Sequence, residues 1–163
     1  MKPVVAVDLG GTLCDGPQGQ SVPMAGSESA LAQIESAFEI FIVSQCGLAT
    51  AEASKKWLAD FKFNIPLDHQ IYIPFKECNK NRVLQEINAE YFIDDRLKHI
   101  APATEILDYG NVIHFKGKIG TTFCLCIDTW DEVCEWLFTM LRIDEISPVG
   151  QDRNKWSYSW QPF

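Results

Sequence analysis

Short apolar runs rich in β-branched and aromatic residues recur along this chain, each followed by a polar, turn-prone stretch and then by helical periodicity. The first, Val4-Val5-Ala6-Val7, is continuous rather than alternating, which predicts a strand covered on both faces, as in the middle of a parallel sheet. Further strands are predicted at Glu39-Ile40-Phe41-Ile42-Val43, His69 to Pro74, Tyr91-Phe92-Ile93 and Asn111 to Phe115, with a short one at Phe123 to Ile127. Between them, Leu31, Ile34 and Phe38 fall on one face of a helix from Glu28 to about Phe38, with Ser27 as its expected cap. Thr50 is the expected cap of a second helix through Ala53, Trp57, Leu58 and Phe61. A third opens near Asn79 with Val83, Leu84 and Ile87 inward, and a fourth, disturbed by Pro102, reaches Leu107. Thr129-Trp130-Asp131-Glu132 has the form of a capping box and predicts a last helix to Arg142.

Strands and helices alternating at these lengths predict an α/β domain, doubly wound around a mainly parallel, Rossmann-like sheet. The expected domain spans residues 1–145, with a turn-rich loop at 14–27 lying over the carboxyl end of the first strand. Residues 146–163 read as a polar tail in which Trp156, Tyr158, Trp160 and Phe163 are interleaved. An arm docked on its own domain, or exchanged in a homodimer, is the expected use of those aromatics, with a partner-binding segment as the alternative.

Composition narrows the function. A chain of 163 residues, 47% hydrophobic and 22% charged, suits one globular domain with a sizeable core. Its net charge of -8 excludes a general binder of nucleic acid or anionic membrane, yet leaves room for a phosphorylated substrate held by a local lysine and a cation. No apolar run approaches membrane-spanning length and the N-terminus lacks the regions of a secretory signal, so a cytoplasmic location is expected. The six cysteines (14, 46, 78, 124, 126, 134) include no Cys-x-x-Cys, and all are expected unbridged, as in a reducing compartment. Cys124 and Cys126 share one side of a strand, a spacing compatible with a soft metal but more common for small buried side chains. His69, His99 and His114 show no ligand spacing.

The chemistry-bearing residues sit at strand ends. Asp8 closes the first strand ahead of Gly10, Gly11 and Thr12; Ser44 and Gln45 close the second; Asp94 and Asp95 close the fourth; Lys80 stands near the start of the preceding helix. In a parallel sheet these groups meet on one edge. Phosphoryl transfer through a carboxylate nucleophile needs such a set: a hard cation on oxygen ligands, and a hydroxyl and an ammonium for the phosphoryl oxygens.

The order Asp-x-x-Gly-Thr-Leu, Ser, Lys and Asp-Asp resembles the haloacid dehalogenase superfamily from about Val4 to Ile127. Phe92-Ile93-Asp94-Asp95-Arg96 and Thr129-Trp130-Asp131-Glu132-Val133 are also similar to its nucleotidase-like branch. The resemblance implies Asp8 as nucleophile and Mg²⁺ ligand, Gly10 as a ligand through its carbonyl, Asp94 as a direct ligand and Asp95 as its neighbour, acting on the ion through the other ligands or through a bridging water. It implies Ser44 and Lys80 as catalytic phosphate binders, with Lys76 the alternative to Lys80, and Gly11, Thr12 and Gln45 as further contacts to phosphate. The usual second Asp of the family, its general acid and base, is Gly10 here, and Asp15 is the nearest carboxylate that could replace it. The stretch before the first helix is too short for a separate cap domain, which implies an open site for small or macromolecular phosphates.

Two other readings compete. The fold could serve as a metal- or phosphate-binding scaffold without turnover. Val7-Asp8-Leu9-Gly10-Gly11-Thr12 also resembles the first phosphate loop of sugar-kinase and actin-like ATPases, a fold of roughly twice this length whose second Gly-rich loop is missing here.

Overall fold

The structure, a computed structural model, describes residues 1–117 and 124–146. Six parallel strands form one sheet in the order β3-β2-β1-β4-β5-β6. They are β1 (Val4–Val7), β2 (Glu39–Gln45), β3 (Gln70–Ile73), β4 (Tyr91–Asp94), β5 (Val112–Phe115) and β6 (Leu125–Ile127). Five helices connect and follow them: α1 (Ser27–Ile34), α2 (Leu48–Asp60), α3 (Asn81–Glu86), α4 (Leu97–Ala103) and α5 (Trp130–Ile146). The chain builds outward from β1 through β2 to β3, then crosses back to lay β4 on the other side of β1. The strand order therefore reverses between β1 and β4, where crossovers leave a crevice at the carboxyl ends.

The continuous apolar character of β1 follows from this central place. Val5 and Val7 pack with Leu31, Ile34, Trp57, Leu58, Trp130 and Leu137, so α1, α2 and α5 cover one face. Val4 and Ala6 pack with Val83, Leu84, Ile100 and Ala103, so α3 and α4 cover the other. Full burial of a Val, Leu, Ile or Phe side chain contributes about 1.5–3 kcal/mol, and β1 spends its whole length on such contacts. No second domain interrupts the described residues, and none of their helices is long and apolar enough to cross a membrane.

Two expected caps are corrected. Helix α1 starts at Ser27 itself, after Gly26 with φ 80, and Ser27 Oγ is buried in the first turn without a partner among the described residues. Helix α2 starts at Leu48 after an extended Gly47, so Thr50 lies inside it, its carbonyl accepting from Ser54 Oγ. A left-handed glycine sets the first boundary and ordinary extended backbone the second, whereas side-chain chemistry had pointed to the hydroxyl residue nearby. The capping box before α5 forms as expected: Glu132 N donates to Thr129 Oγ1 at 3.3 Å, and Thr129 N donates to Glu132 Oε2 at 3.1 Å. Helix α5 runs beyond Arg142 to Ile146, and α4 ends at Ala103, one residue past Pro102. Strand β6 begins at Leu125; Phe123, expected to open it, and the aromatic tail beyond 146, with the dimer expected through it, lie outside the described residues.

The loop between β1 and α1 is held down from the helical face. Trp57 Nε1 donates to the Ser21 carbonyl at 2.5 Å, and Trp130 Nε1 donates to the Thr12 carbonyl at 2.9 Å.

Candidate active site

The apolar strands stop where the sheet edge meets solvent, and their next side chains converge. Asp8 follows β1, with its N–H donating to the Ile93 carbonyl of β4 at 2.9 Å. Asp94 is the last residue of β4. Lys80, at the position just before α3, is 1% exposed and threads between them. Its Nζ donates to Asp8 Oδ1 and Asp94 Oδ2, both at 2.6 Å, and to the Val43 carbonyl at 2.7 Å. Three acceptors exhaust the three donors of an ammonium. Lys76, the alternative, is exposed.

One oxygen each of Asp8, Asp94 and Asp95 lies within 4.8 Å of the others. Three carboxylates against one ammonium leave a formal charge of -2 in a largely buried setting, which favours proton or cation uptake. Burial pushes the carboxyl of Asp94 up, opposed by Lys80, and burial with Asp8 nearby raises that of Asp95. Burial alone would lower the Lys80 ammonium, yet Asp8 and Asp94 outweigh it and hold the group above its usual range.

Asp95 Oδ1 is buried without a hydrogen-bond partner among the described residues. The loop beside it is built for close approach: Gly11 has φ 80, and a Cβ there would collide with Asp95 Oδ2. An all-oxygen donor set with surplus negative charge and an orphaned carboxylate oxygen fits a hard divalent cation such as Mg²⁺.

A cleft of about 420 Å³ opens over this group, lined by Asp8, Gly10, Gly11, Gln18, Ser44, Gln45 and Asp95, with Gly16, Pro17, Arg96 and His99 at its sides. Of the expected site residues, Lys80 and Asp94 stand behind Asp8 rather than in the lining. Thr12 is fully buried, is not in the lining, and leaves its Oγ1 unpartnered among the described residues. Asp15 is exposed and does not line the cleft.

Sequence reasoning missed Gln18, which organises one wall. Ser44 Oγ donates to Gln18 Oε1 at 2.7 Å, and Gln18 Nε2 donates to Ser54 Oγ at 2.8 Å. Its setting between Gly16-Pro17 and Gly19 marks a turn tip, the one signal available beforehand. Lys98 was also missed; its Nζ donates to Gln45 Oε1 at 2.8 Å, bringing a cation to the rim. His99, two residues into α4, also lines the cleft, and no spacing in the sequence flagged it.

No family model matches the sequence, and no curated protein does. Solved structures do match in fold. D,D-heptose 1,7-bisphosphate phosphatase from Burkholderia thailandensis superposes with a TM-score of 0.62 at 11% identity, over 85% of this chain and 99% of that one. A haloacid dehalogenase-like family hydrolase from Xanthomonas campestris gives 0.54 at 14% identity, over 77% of this chain and 57% of that one. Class C acid phosphatase from Bacillus anthracis gives 0.51 at 18% identity, over 58% and 52%. The chain thus spans nearly all of the first and a little over half of the other two. The shared feature is the fold, a parallel α/β sheet found also in a phosphatase and in a haloacid dehalogenase-like hydrolase.

Proposed function

We propose that this protein is a Mg²⁺-dependent phosphohydrolase acting through an aspartyl phosphate on Asp8. The observation that carries this reading is the junction of Asp8 and Asp94 on one buried ammonium, directly beneath a cleft. Lys80 fixes Asp8 Oδ1, so Oδ2 is the oxygen left for in-line attack on phosphorus. The Oδ2–P bond forms as the bond from phosphorus to the leaving oxygen breaks, and that oxygen departs with the electron pair. Water then attacks the acyl phosphate, giving inorganic phosphate and restoring the carboxylate.

Asp8, Asp94, Asp95 and the Gly10 carbonyl would hold Mg²⁺. When bound, it supplies charge neutralisation for the approach of an anionic substrate to a carboxylate. Lys98 and Arg96 flank the cleft and suit the remaining phosphoryl charge. Nothing in the lining gives the leaving oxygen a proton from the position of Gly10, and Asp15 points elsewhere. General acid catalysis is worth about 10²–10⁴-fold, so aryl or acyl phosphates, which leave without a proton, are the favoured substrate class. Residues 8–26 carry no inserted domain, which suits bulky phosphates.

The same Gly10 supports a second reading, a scaffold that binds phosphate and metal without turnover. One experiment separates the two. The full chain is assayed with an aryl and an alkyl phosphate, with and without Mg²⁺, alongside Asp8→Asn and Gly10→Asp. Mg²⁺-dependent aryl phosphate turnover, abolished in Asp8→Asn, is expected, with alkyl phosphate slower by at least about 10²-fold. Gly10→Asp should narrow that gap, since a Cβ there meets Gln18 Cβ only at 3.4 Å and the backbone is unstrained. No turnover of either ester, with Mg²⁺ binding intact, establishes the scaffold instead.

A further inference from the structure

Behind the cleft, on the far half of the sheet, lies a second group of ligand-type side chains that phosphoryl transfer does not use. A ring nitrogen of His114 and the Sγ atoms of Cys124 and Cys126 lie within 4.8 Å of one another. The placement follows from strand geometry. His114 on β5 sits opposite Cys126 on β6, so their side chains leave the same face, and Cys124, two residues earlier, shares it.

The histidine is set up as a ligand. Its Nε2 lies 2.9 Å from the Asp95 carbonyl. A carbonyl can only accept, so Nε2 carries the proton, and in the neutral ring Nδ1 is left with a lone pair. Among the described residues Nδ1 is buried without a hydrogen-bond partner, in a side chain 7% exposed. Gly117 packs against that edge, where any Cβ would collide with Nδ1. Histidines that bind metal characteristically donate their other N–H to a backbone carbonyl or carboxylate, which fixes tautomer and ring orientation.

We propose that His114 Nδ1, Cys124 and Cys126 bind a Zn²⁺ ion separate from the Asp8 centre. One imidazole and two thiolates form a borderline-to-soft set that suits zinc and disfavours Mg²⁺, whereas the three aspartates do the reverse. Binding requires both thiols to ionise and releases their protons to solvent. Three protein ligands leave one corner of the tetrahedron for water or another donor. The ion would tie β5 to β6 and, through Nε2–H, fix the peptide of Asp95 at the cleft.

The test uses the full chain, freed of metal by a chelator and titrated with Co²⁺ and then Zn²⁺. Expected are thiolate-to-cobalt charge-transfer absorption with the intense bands of tetrahedral cobalt, both displaced by one equivalent of Zn²⁺, and protection by Zn²⁺ of two of the six thiols against a thiol-reactive disulfide. Cys126→Ser, at a half-buried position, should weaken Zn²⁺ binding at least about tenfold and remove most of the charge-transfer band. Asp8→Asn should leave both signals unchanged. Absence of the charge-transfer band in wild type, or its persistence at full strength in Cys126→Ser, overturns the proposal. Thiol protection is read in wild type alone, so the result stands even if a variant folds poorly.

Discussion

Lys80 is the residue on which the site turns, and its burial makes the consequence of losing it calculable. Its ammonium stands between two carboxylates with almost no access to water. Lys80→Met would leave Asp8 and Asp94 as buried like charges with no counter-ion. Removing one partner of a buried ionic group typically costs about 3–5 kcal/mol. Urea unfolding of Lys80→Met in chelator should show a loss of that size together with complete loss of phosphatase turnover. A change below about 1 kcal/mol would mean that water reaches the group and the ionic junction is not as drawn. Asp8 and Asp94 could be placed together from the sequence because each closes an apolar run whose direction is fixed by the parallel sheet, and Lys80 because it opens the helix that leads into β4. Gln18, Lys98 and His99 were not, because the path of a loop and the facing of a short helix depend on what they pack against.

Among the elements, α4 carries a pH dependence of its own. His99 is 2% exposed, and burial, with Lys80, Lys98 and Arg96 nearby and Asp8 opposing them, pushes its imidazole down to about 4 from 6.5. The folded state therefore prefers the neutral ring. As pH falls below 6.5 the unfolded chain takes up a proton that the folded chain declines until about 4, so the stability this residue contributes is lost across that window. The urea midpoint of wild type should drop relative to that of His99→Gln between those limits, and parallel curves would show that the ring is protonated when folded. The element boundaries tell a related story about legibility. The cap before α5 could be read because both partners, Thr129 and Glu132, are side chains at fixed spacing. The starts of α1 and α2 could not, since Gly26 and Gly47 act through backbone angles and leave no such pair.

On the scale of the molecule, one sheet joins two apolar layers. Trp57, Trp130 and Trp136 all belong to the layer formed with α1, α2 and α5, whereas α3 and α4 pack without tryptophan on the other side. With Trp156 and Trp160 replaced by phenylalanine, tryptophan fluorescence reports chiefly that layer, and far-ultraviolet circular dichroism reports both. Because every strand of the centre is shared, the two signals should follow a single urea transition. A fluorescence change well separated from the dichroism change would show that the layers unfold independently. The alternation of strand and helix made this layering readable at the outset, and the strand order 3-2-1-4-5-6 needed the coordinates, since apolar runs do not say which neighbour they choose.

The reach of Lys80 back to Asp8 spans 72 residues, and Val5 pairs with Tyr91 across a still longer interval. Contacts so distant in sequence are slow to form. On the ribosome the first strand must emerge and wait, unpaired on its β4 side, until the residues through Ile93 have followed it. A nascent or prematurely terminated product ending before Asp94 would carry the attacking carboxylate and lack the partner acid that completes its surroundings. The carboxylate cluster is in this sense assembled only once β4 has emerged.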